Sequence, residues 1–422
     1  MAYSENVLKL LSRSPSVFHV VDNMEKAFAA QGYQELREGE PFAVAPGKGY
    51  YVKRNGSSII AFYVPTEFQW GMSLAATHND SPSFAVKPHP FLKKGNVTVL
   101  NVEPYGGGIF YTWLDRPLSF AGRVYTIVGE EIHCNLVDID QDLLVIPSLA
   151  IHMNRDVNNG YAFNAARDMT PIFYVEPEFD TFEEYLKATC SLEGEVLSHD
   201  LFLYVRENPR VIGPKQDLVL SPRLDDLSSA YANLLAFLVA NRDKKAGKIS
   251  VFASFDNEEV GSLTAQGAHS DFLRSTVERM LVALGGDEEH RHMAIANALM
   301  LSVDNAHASH PNHMDKCDPT SIVNLNGGIV IKYNADQKYT TNAASSAYVK
   351  SLCLDLGQKF QEFTNRSDMR GGSTLGNISN AEVSILSADI GIAQLAMHSC
   401  VELCGLKDIE EMKNLLAAHY SR

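Results

Sequence analysis

The chain changes texture along its length, and this change constrains its fold more than any other feature. From about residue 216 to the C-terminus, short apolar runs rich in β-branched residues alternate with longer runs of helical spacing. The predicted strands there are 249–255, 300–303, 329–333 and 383–386, and the predicted helices are 228–241 and 392–404. Such alternation is typical of helices packed on a sheet.

Between about 90 and 207 the pattern consists of short alternating strands punctuated by Gly and Pro, with little helical spacing before Phe182. Strand patterns at 58–63 and 71–77 precede this stretch. We therefore expect residues 1–90 and 208–422 to close into one α/β domain that is interrupted by a β-rich insertion at 91–207.

Composition excludes several classes of function. The 422 residues carry a formal net charge of -15, which argues against nucleic acid and anionic membrane surfaces as partners. A transmembrane span is not expected, because no run of about 20 apolar residues is present. The first residues lack a secretory pattern and the six cysteines form no CxxC pair, so we expect a cytoplasmic protein with reduced thiols.

Acidic and histidine residues recur at the ends of predicted strands. His78 ends the run 71–77, and Asp80 is placed to accept its second imidazole N–H and so fix the tautomer. Glu258 and Glu259 follow the run 249–255, and adjacent carboxylates held there repel one another unless a cation lies close. One glutamate can then bind a metal while the other stays free as a general base.

Three further groups add to this set. Asp225 precedes a predicted helix, Asp304 follows a strand, and His398 lies near the start of the predicted helix 392–404. Each alone is equally typical of a helix cap or a hydrogen-bonded core residue. Together with His78 and Glu259 they supply the nitrogen and oxygen ligands of a two-metal hydrolytic site, with Asp225 as the expected bridge.

A series of motifs spans nearly the whole chain: THNDSP, SPRLDDL, DNEEVGS, SVDNAH, GGIVIKYN, GGSTLG and QLAMHS. In this order and separation they resemble the M18 family of metallo-aminopeptidases, the aspartyl aminopeptidases. The general zinc signature HExxH is absent. The resemblance implies an α/β fold, in which a mixed-sheet zinc-exopeptidase domain is interrupted by a β-rich dimerisation domain.

The resemblance also implies the metal ligands. His78, Asp225 and Asp304 are expected to hold one Zn²⁺, and Asp225, Glu259 and His398 a second, with Co²⁺ or Mn²⁺ as possible substitutes. The family assembles from dimers into a tetrahedral homododecamer. The expected reaction releases one N-terminal residue from short peptides with a free N-terminus.

The remaining roles follow from the same resemblance. Glu258 is expected to be the general base for a zinc-bridging hydroxide, and Asp80 to support catalysis through His78. Lys332 is expected to bind an Asp or Glu side chain of the substrate, and His307 to line the same cleft. His152 is expected to reach the active site of a neighbouring subunit.

The sequence departs from the family at Gly371, where a cysteine usually precedes GST, and Arg370 beside it adds a positive charge or faces solvent. Side-chain preference is therefore open between acidic residues and neutral ones such as Leu. Two other classes are weighed: a metal amidase acting on non-peptide amides, and a non-catalytic oligomeric shell. The shell predicts loss of a ligand or of the base, and all six positions are intact.

Other clusters have plainer interpretations. Residues Gly106, Gly107 and Gly108 lack the GxGxxG spacing, so no phosphate-binding role is assigned to them. The histidine pairs are interpreted as solvated or loop-shaping: His290 with His292, and His310 with His313. Cys400 and Cys404 are expected to pack in the core.

Overall fold

A computed structural model of the protein describes residues 2–369, 371–372 and 374–422. The α-helices of these residues are α1 (Ala2–Ser12), α2 (Val17–Ala30), α3 (Ala165–Asp168), α4 (Phe182–Thr189), α5 (Leu224–Asn241), α6 (Phe272–Ala283), α7 (Glu288–Ala296), α8 (Ala343–Leu356), α9 (Leu375–Glu382) and α10 (Leu406–Ser421). The strands are β1 (Gln34–Glu35), β2 (Lys48–Arg54), β3 (Ser58–Val64), β4 (Glu67–His78), β5 (Ser83–Lys94), β6 (Val97–Tyr105), β7 (Leu118–Val128), β8 (Glu131–Asp138), β9 (Ile172–Tyr174), β10 (Glu195–Val205), β11 (Arg210–Ile212), β12 (Leu218–Ser221), β13 (Ala246–Phe255), β14 (Leu299–Val303), β15 (Ala306–His307), β16 (Ile329–Tyr333), β17 (Phe360–Thr364), β18 (Leu386–Gly391), β19 (Ala393–Leu395) and β20 (Glu402–Gly405).

Nine strands of the described residues form the central sheet, in the order β1-β2-β3-β13-β4-β14-β18-β16-β17. Strands β13, β4, β14 and β18 are parallel neighbours, whereas β3 pairs antiparallel with β13 and β16 antiparallel with β18. The mixed α/β sheet that the sequence predicts is therefore confirmed. The four parallel strands present their carboxyl ends at one edge.

Helices cover both faces of the central sheet. Leu74 of β4 packs in an apolar cluster with α6, α7 and α9, while its neighbour Ala75 faces the cluster formed with α1, α2, α5, α8 and α10. A strand that is buried on both faces is apolar at consecutive positions, which explains the unbroken apolar runs in the sequence.

The inserted sheet is antiparallel, with the order β8-β7-β10-β5-β6-β9. Its own core packs against α4. It includes β5 from Ser83 onward, so the boundary predicted between residues 90 and 91 falls inside a strand. The cause is physical, because Phe84 near the start of β5 and Phe91 beyond the predicted boundary pack in the same core.

A third, smaller sheet includes the C-terminal strands β19 and β20 and has the order β11-β12-β20-β19-β15. The predicted helix over 392–404 is wrong, because this segment forms β19, an irregular stretch and β20. Ala396 and His398 have φ angles of 57° and 66°, which a right-handed helix cannot contain. His398 therefore lies in a loop between two strands, and not near the start of a helix.

The other predicted elements agree closely with those in the structure. Strand patterns at 249–255, 300–303 and 329–333 lie in β13, β14 and β16, and the pattern at 228–241 lies in α5. The strand predicted at 383–386 begins only at Leu386, because α9 continues to Glu382. Every helix among the described residues is too short or too polar to cross a membrane.

Candidate metal centre

The carboxyl ends of the parallel strands bring most of the predicted site residues together. His78 is the last residue of β4, and Asp304 directly follows β14. Glu258 and Glu259 lie in a 3-10 turn just beyond β13. Because β13 and β14 both pair in parallel with β4, these side chains meet at one edge of the sheet, where open α/β sheets form their ligand sites.

His78 is buried, with 1 % of its surface exposed. Its Nδ1 lies 3.1 Å from the main-chain oxygen of Asp80 and 3.4 Å from the Asp80 carboxylate. Both acceptors favour a proton on Nδ1, as the sequence predicts for Asp80, although the main-chain oxygen is the nearer. The other ring nitrogen, Nε2, faces Asp225 Oδ1 at 3.5 Å and Asp304 Oδ1 at 3.7 Å.

Asp225 lies between the two predicted histidine ligands. Its Oδ2 is 3.4 Å from His398 Nε2, while Oδ1 faces His78. The residue belongs to the first turn of α5, but Asp225 and Asp226 both depart from helical angles there. The carboxylate is therefore turned toward the histidines, which favours the bridging interpretation over the helix cap.

His398 completes the other side of the cluster. Its Nε2 lies 3.3 Å from Glu259 Oε2, and its Nδ1 lies 3.2 Å from the main-chain oxygen of Gly107 in the inserted sheet's loop. A carbonyl can only accept, so Nδ1 carries a proton, and Nε2 is the ring nitrogen that is directed at the cluster. The side chain is 31 % exposed, far more than that of His78.

Asp80 holds the glutamate pair in place. Its carboxylate accepts hydrogen bonds from the main-chain N–H groups of Glu258 and Glu259, each at 3.1 Å, and from the hydroxyl of Tyr105 at 2.6 Å. Asp80 is buried and makes these contacts from the end of β4. Its observed contacts are thus those of a positioning residue for both glutamates, in addition to its contact with His78.

Glu402 is a functional neighbour that sequence reasoning missed. Its carboxylate accepts from the main-chain N–H of Asp225 at 3.0 Å and of His398 at 2.7 Å, so one side chain fixes two ligand backbones. Burial and the negative charge of Asp225 raise the pKa of Glu402 to about 8. Because the segment 392–404 is predicted as a helix, the position of Glu402 four residues after His398 does not mark it as a site residue.

Asp226 was also missed as a site residue. It is fully buried, its Oδ2 lies 3.4 Å from the main-chain nitrogen of His78, and burial raises its pKa well above the usual range. The charges of Asp304 and Asp225 add to that rise. The adjacent acids in SPRLDDL were the available signal, but only the first was interpreted as a ligand.

The cleft beside the cluster contains two of the predicted substrate residues. Lys332 and His307 line it together with Tyr339 and Phe363. The Lys332 ammonium is buried, donates to the main-chain oxygen of Asp304 at 2.8 Å and lies 3.4 Å from its Oδ2. Desolvation within the cleft lowers the pKa of His307.

His152 lies apart from this cleft. It belongs to the exposed segment between β8 and β9 of the inserted sheet. Leu149, Ile151 and Met153 around it are 52 %, 47 % and 74 % exposed. The structure of one chain therefore does not bring His152 to the cluster.

Gly371 has a local reason for lacking a side chain. A Cβ atom there would lie 2.5 Å from Oδ1 of Asn365, so a cysteine requires Asn365 to move. The main-chain oxygen of Gly371 accepts a hydrogen bond from Lys338 at 2.6 Å. Arg370, whose charge was weighed for the substrate pocket, lies outside the described residues.

The pKa values of both glutamates are raised in this site. Burial and the nearby charges of Asp304 and Asp80 together raise the pKa of Glu258 to about 8, against the opposing effect of His78. Burial also raises the pKa of Glu259 well above its usual range. The pKa of His398 rises to about 10, because its bonds to Asp225 and Glu259 outweigh the opposing effect of burial. These shifts indicate an excess of buried negative charge.

A divalent cation fits this excess. Within the part of the chain that the structure describes, Asp225 Oδ1, Asp226 Oδ1 and Glu259 Oε1 are buried without a hydrogen-bond partner. Ligand atoms of His78, Asp225 and Glu259 lie within 4.8 Å of one another. Two ligands about 2.0–2.1 Å from one tetrahedral zinc ion lie about 3.4 Å apart, which matches the nitrogen–oxygen separations of this cluster.

The fold and the cluster together define a metal-dependent hydrolase: nitrogen and oxygen ligands at the edge of a mixed α/β sheet, with a free carboxyl group beside them. The family model described as aminopeptidase I zinc metalloprotease (M18) matches residues 10–420. The chain belongs to the M18 family of zinc aminopeptidases, and it is a metallo-aminopeptidase.

Individual relatives agree with this placement. A probable M18 family aminopeptidase 2 from Clostridium novyi is 42 % identical over 417 residues, which cover 96 % of this chain and 95 % of the relative. A chain in the cryo-EM structure of the Ape4 and Nbr1 complex is 33 % identical with a TM-score of 0.95, covering 100 % of this chain and 85 % of that chain. The S. cerevisiae mApe1 dodecamer is 25 % identical with a TM-score of 0.87, covering 99 % and 96 %.

Proposed function

We propose that this protein is a di-zinc aminopeptidase that removes Asp or Glu from the N-terminus of short peptides. The observation that carries the proposal is the placement of Asp225 between the two imidazoles, with one oxygen toward each. His78, Asp225 and Asp304 would hold one zinc ion, and Asp225, Glu259 and His398 the other. When bound, the two ions would polarise the substrate carbonyl and lower the pKa of water.

Glu258 is the proposed general base and acid. It is not needed as a ligand, its main-chain N–H is fixed by Asp80, and it lines the cleft. Glu258 takes a proton from the attacking water as the carbon–oxygen bond forms, and returns it to the amine as the peptide bond breaks.

The acidic preference rests on Lys332, whose ammonium lies in the cleft and is the cation that a carboxylate side chain requires. A second preference, for neutral residues such as Leu, is favoured by a different observation. Lys332 already interacts with Asp304, and Phe363 and Met397 give the cleft apolar walls.

Hydrolysis of a peptide panel by zinc-loaded protein separates these possibilities. The N-terminal residues are Asp, Glu, Leu, Lys and N-acetyl-Asp, and Glu258→Gln is the control. Rapid cleavage of free Asp and Glu peptides, lost in the control, supports the proposal. Faster cleavage of Leu peptides assigns the neutral preference, and cleavage of the acetylated peptide contradicts the aminopeptidase reaction and favours an amidase.

We further propose a homododecamer built from dimers through the insertion at 91–207, with His152 entering a neighbouring site. The exposed apolar side chains around His152 are the kind that a subunit contact covers, and the mApe1 relative is a dodecamer. Light scattering distinguishes twelve subunits from two. Met153→Asp is expected to reduce the mass of the particle in solution. A monomeric wild-type protein would contradict the proposed assembly.

A cytoplasmic location is also proposed. All six cysteines are free, which suits a reducing compartment. Fractionation of the producing cells tests it, and recovery of the protein from outside the cytoplasm would contradict it.

A further inference from the structure

The triple glycine at residues 106–108, which received no role from its sequence pattern, reaches into the metal centre. It follows β6 of the inserted sheet, and the main-chain oxygen of Gly107 faces Nδ1 of His398 at 3.2 Å. A carbonyl at this nitrogen fixes the tautomer and the plane of a ligating imidazole. The inserted sheet thus contributes directly to a ligand that the C-terminal segment carries.

Further bonds tie the His398 segment to the same loop. The main-chain N–H of Ile109 donates to the main-chain oxygen of His398 at 2.9 Å. The Thr112 hydroxyl accepts from the main-chain N–H of Cys400 at 3.1 Å, and the Cys400 thiol donates to the Thr112 carbonyl at 2.8 Å. The Cys400 side chain is buried in the core of the inserted sheet.

The approach is close enough to require glycine at residue 106. Its φ angle is +72°, which favours glycine. A Cβ atom there would lie 3.1 Å from Cβ of Glu259 and 3.4 Å from Cα of Pro82. These atoms belong to the backbone or sit directly on it, so relief requires a shift of Glu259 or of the glycine loop.

We propose that the segment from Gly106 to Thr112 is a positioning element for the His398 and Glu259 side of the metal centre. Bonds from the segment hold His398, and its close packing fixes Glu259. The proposal rests on the two-ion site proposed above, and it assigns this docking contact to one ion only. Loss of the contact is expected to lower the affinity for that ion and to leave unchanged the affinity for the ion held by His78 and Asp304.

The first test compares Gly106→Ala with Gly129→Ala. Gly129 also lies at a turn of the inserted sheet with a φ angle of +64°, but no atom lies within 4 Å of its Cβ position. The two variants therefore share the backbone strain and differ in the contact with Glu259. Zinc is titrated against a chromophoric chelator, and Gly106→Ala is expected to weaken the more loosely held ion about tenfold or more. Gly129→Ala is expected to bind zinc as the wild type does.

A second pair keeps the test sharp if Gly106→Ala folds poorly. Thr112→Val removes the hydroxyl that accepts from Cys400, and Thr112→Ser retains it. Weaker binding of one ion in the valine variant, with recovery in the serine variant, supports the positioning role.

Unchanged binding of both ions in Gly106→Ala and Thr112→Val overturns the inference, and so does equal weakening of both ions. A wild-type protein that binds a single zinc ion would contradict the two-ion proposal instead. The positioning role is then judged by whether Gly106→Ala weakens that one ion while Gly129→Ala does not.

Discussion

The two sides of the metal centre are built differently. His78 and Asp304 stand at the ends of adjacent parallel strands of the central sheet, and His78 is buried from solvent. On the other side, Glu259 lies in the 3-10 turn beyond β13, and His398 lies in a loop with a positive φ angle and a partly exposed side chain. The first side takes its geometry from the ladder of one sheet, whereas His398 on the second side depends on contact between two sheets.

This difference shows how a metal centre can combine rigidity with dependence on domain contact. Strands within a sheet hold their ends in register through many hydrogen bonds, so the position of His78 is fixed by many restraints at once. The His398 side relies on a few bonds from Glu402, Gly107 and Ile109. Fewer restraints allow larger local fluctuations. We expect the two sides to respond unequally to mutation.

The largest effect is expected at Asp225, the residue that both sides share. Asp225→Asn replaces a carboxylate that faces both histidines with a neutral amide that has a single oxygen. We expect loss of both ions and a fall in activity of about 10⁴-fold or more. Metal analysis and peptide hydrolysis check this, with the exposed Asp336→Asn as control. Retention of one ion at wild-type affinity would contradict the bridging role.

Glu258→Gln should stop the reaction without disturbing either side. The amide cannot take up the proton, so kcat is expected to fall about 10²- to 10⁴-fold. Zinc content should match the wild type, because Glu258 is not among the proposed ligands. A variant that loses zinc would instead identify Glu258 as a ligand.

Glu402 tests whether the two sides hold their ions equally. Glu402→Ala removes the acceptor for the main-chain N–H groups of Asp225 and His398, and zinc affinity is expected to fall about 10- to 100-fold. Glu402→Gln keeps one acceptor oxygen and should lose less. We expect the ion at His398 to leave first during dialysis against a chelator. Simultaneous loss of both ions at one rate would show that the two sides are equally held.

The smallest effect is expected on the free energy of unfolding, at a histidine that packs against the strand ending at His78. His419 is buried against β4, with Nε2 3.0 Å from the Leu74 carbonyl and Nδ1 2.9 Å from the Tyr348 hydroxyl. Burial lowers its pKa from 6.5 to about 3. A lowered histidine pKa means that the unfolded chain binds the proton first. The free energy of unfolding should therefore fall as pH drops below 6.5, by up to about 1.4 kcal/mol per pH unit.

Urea unfolding of metal-free protein between pH 7 and 5 measures this slope. His419→Gln, which cannot titrate, should show a shallower dependence than the wild type. Identical slopes would mean that His419 does not keep its lowered pKa in solution.

Much of the centre could be predicted because strand ends are visible in a sequence. His78, Glu259 and Asp304 follow apolar runs, and parallel strands necessarily bring such ends together. The five predicted ligands do lie in one cluster. Of the three predicted substrate residues, Lys332 and His307 line the cleft, whereas His152 does not.

The errors lie where long-range contacts decide local structure. The segment 392–404 has helical spacing, but its apolar residues pair in strands and its loop bonds to the inserted sheet. The Glu402 carboxylate bonds to the main-chain N–H of Asp225, and the Gly107 main-chain oxygen bonds to the His398 imidazole. Such contacts between distant residues leave no periodic trace. A pattern that is local in sequence could not predict either contact.

The hydrogen bond between His398 and Gly107 also has a consequence for synthesis of the chain. It joins residues 291 positions apart. Domains fold from the N-terminus as the ribosome extends the chain. The inserted sheet can therefore form long before its partner segment emerges. A nascent chain too short to include His398 lacks one of the proposed ligands, so we expect it to cleave no peptide.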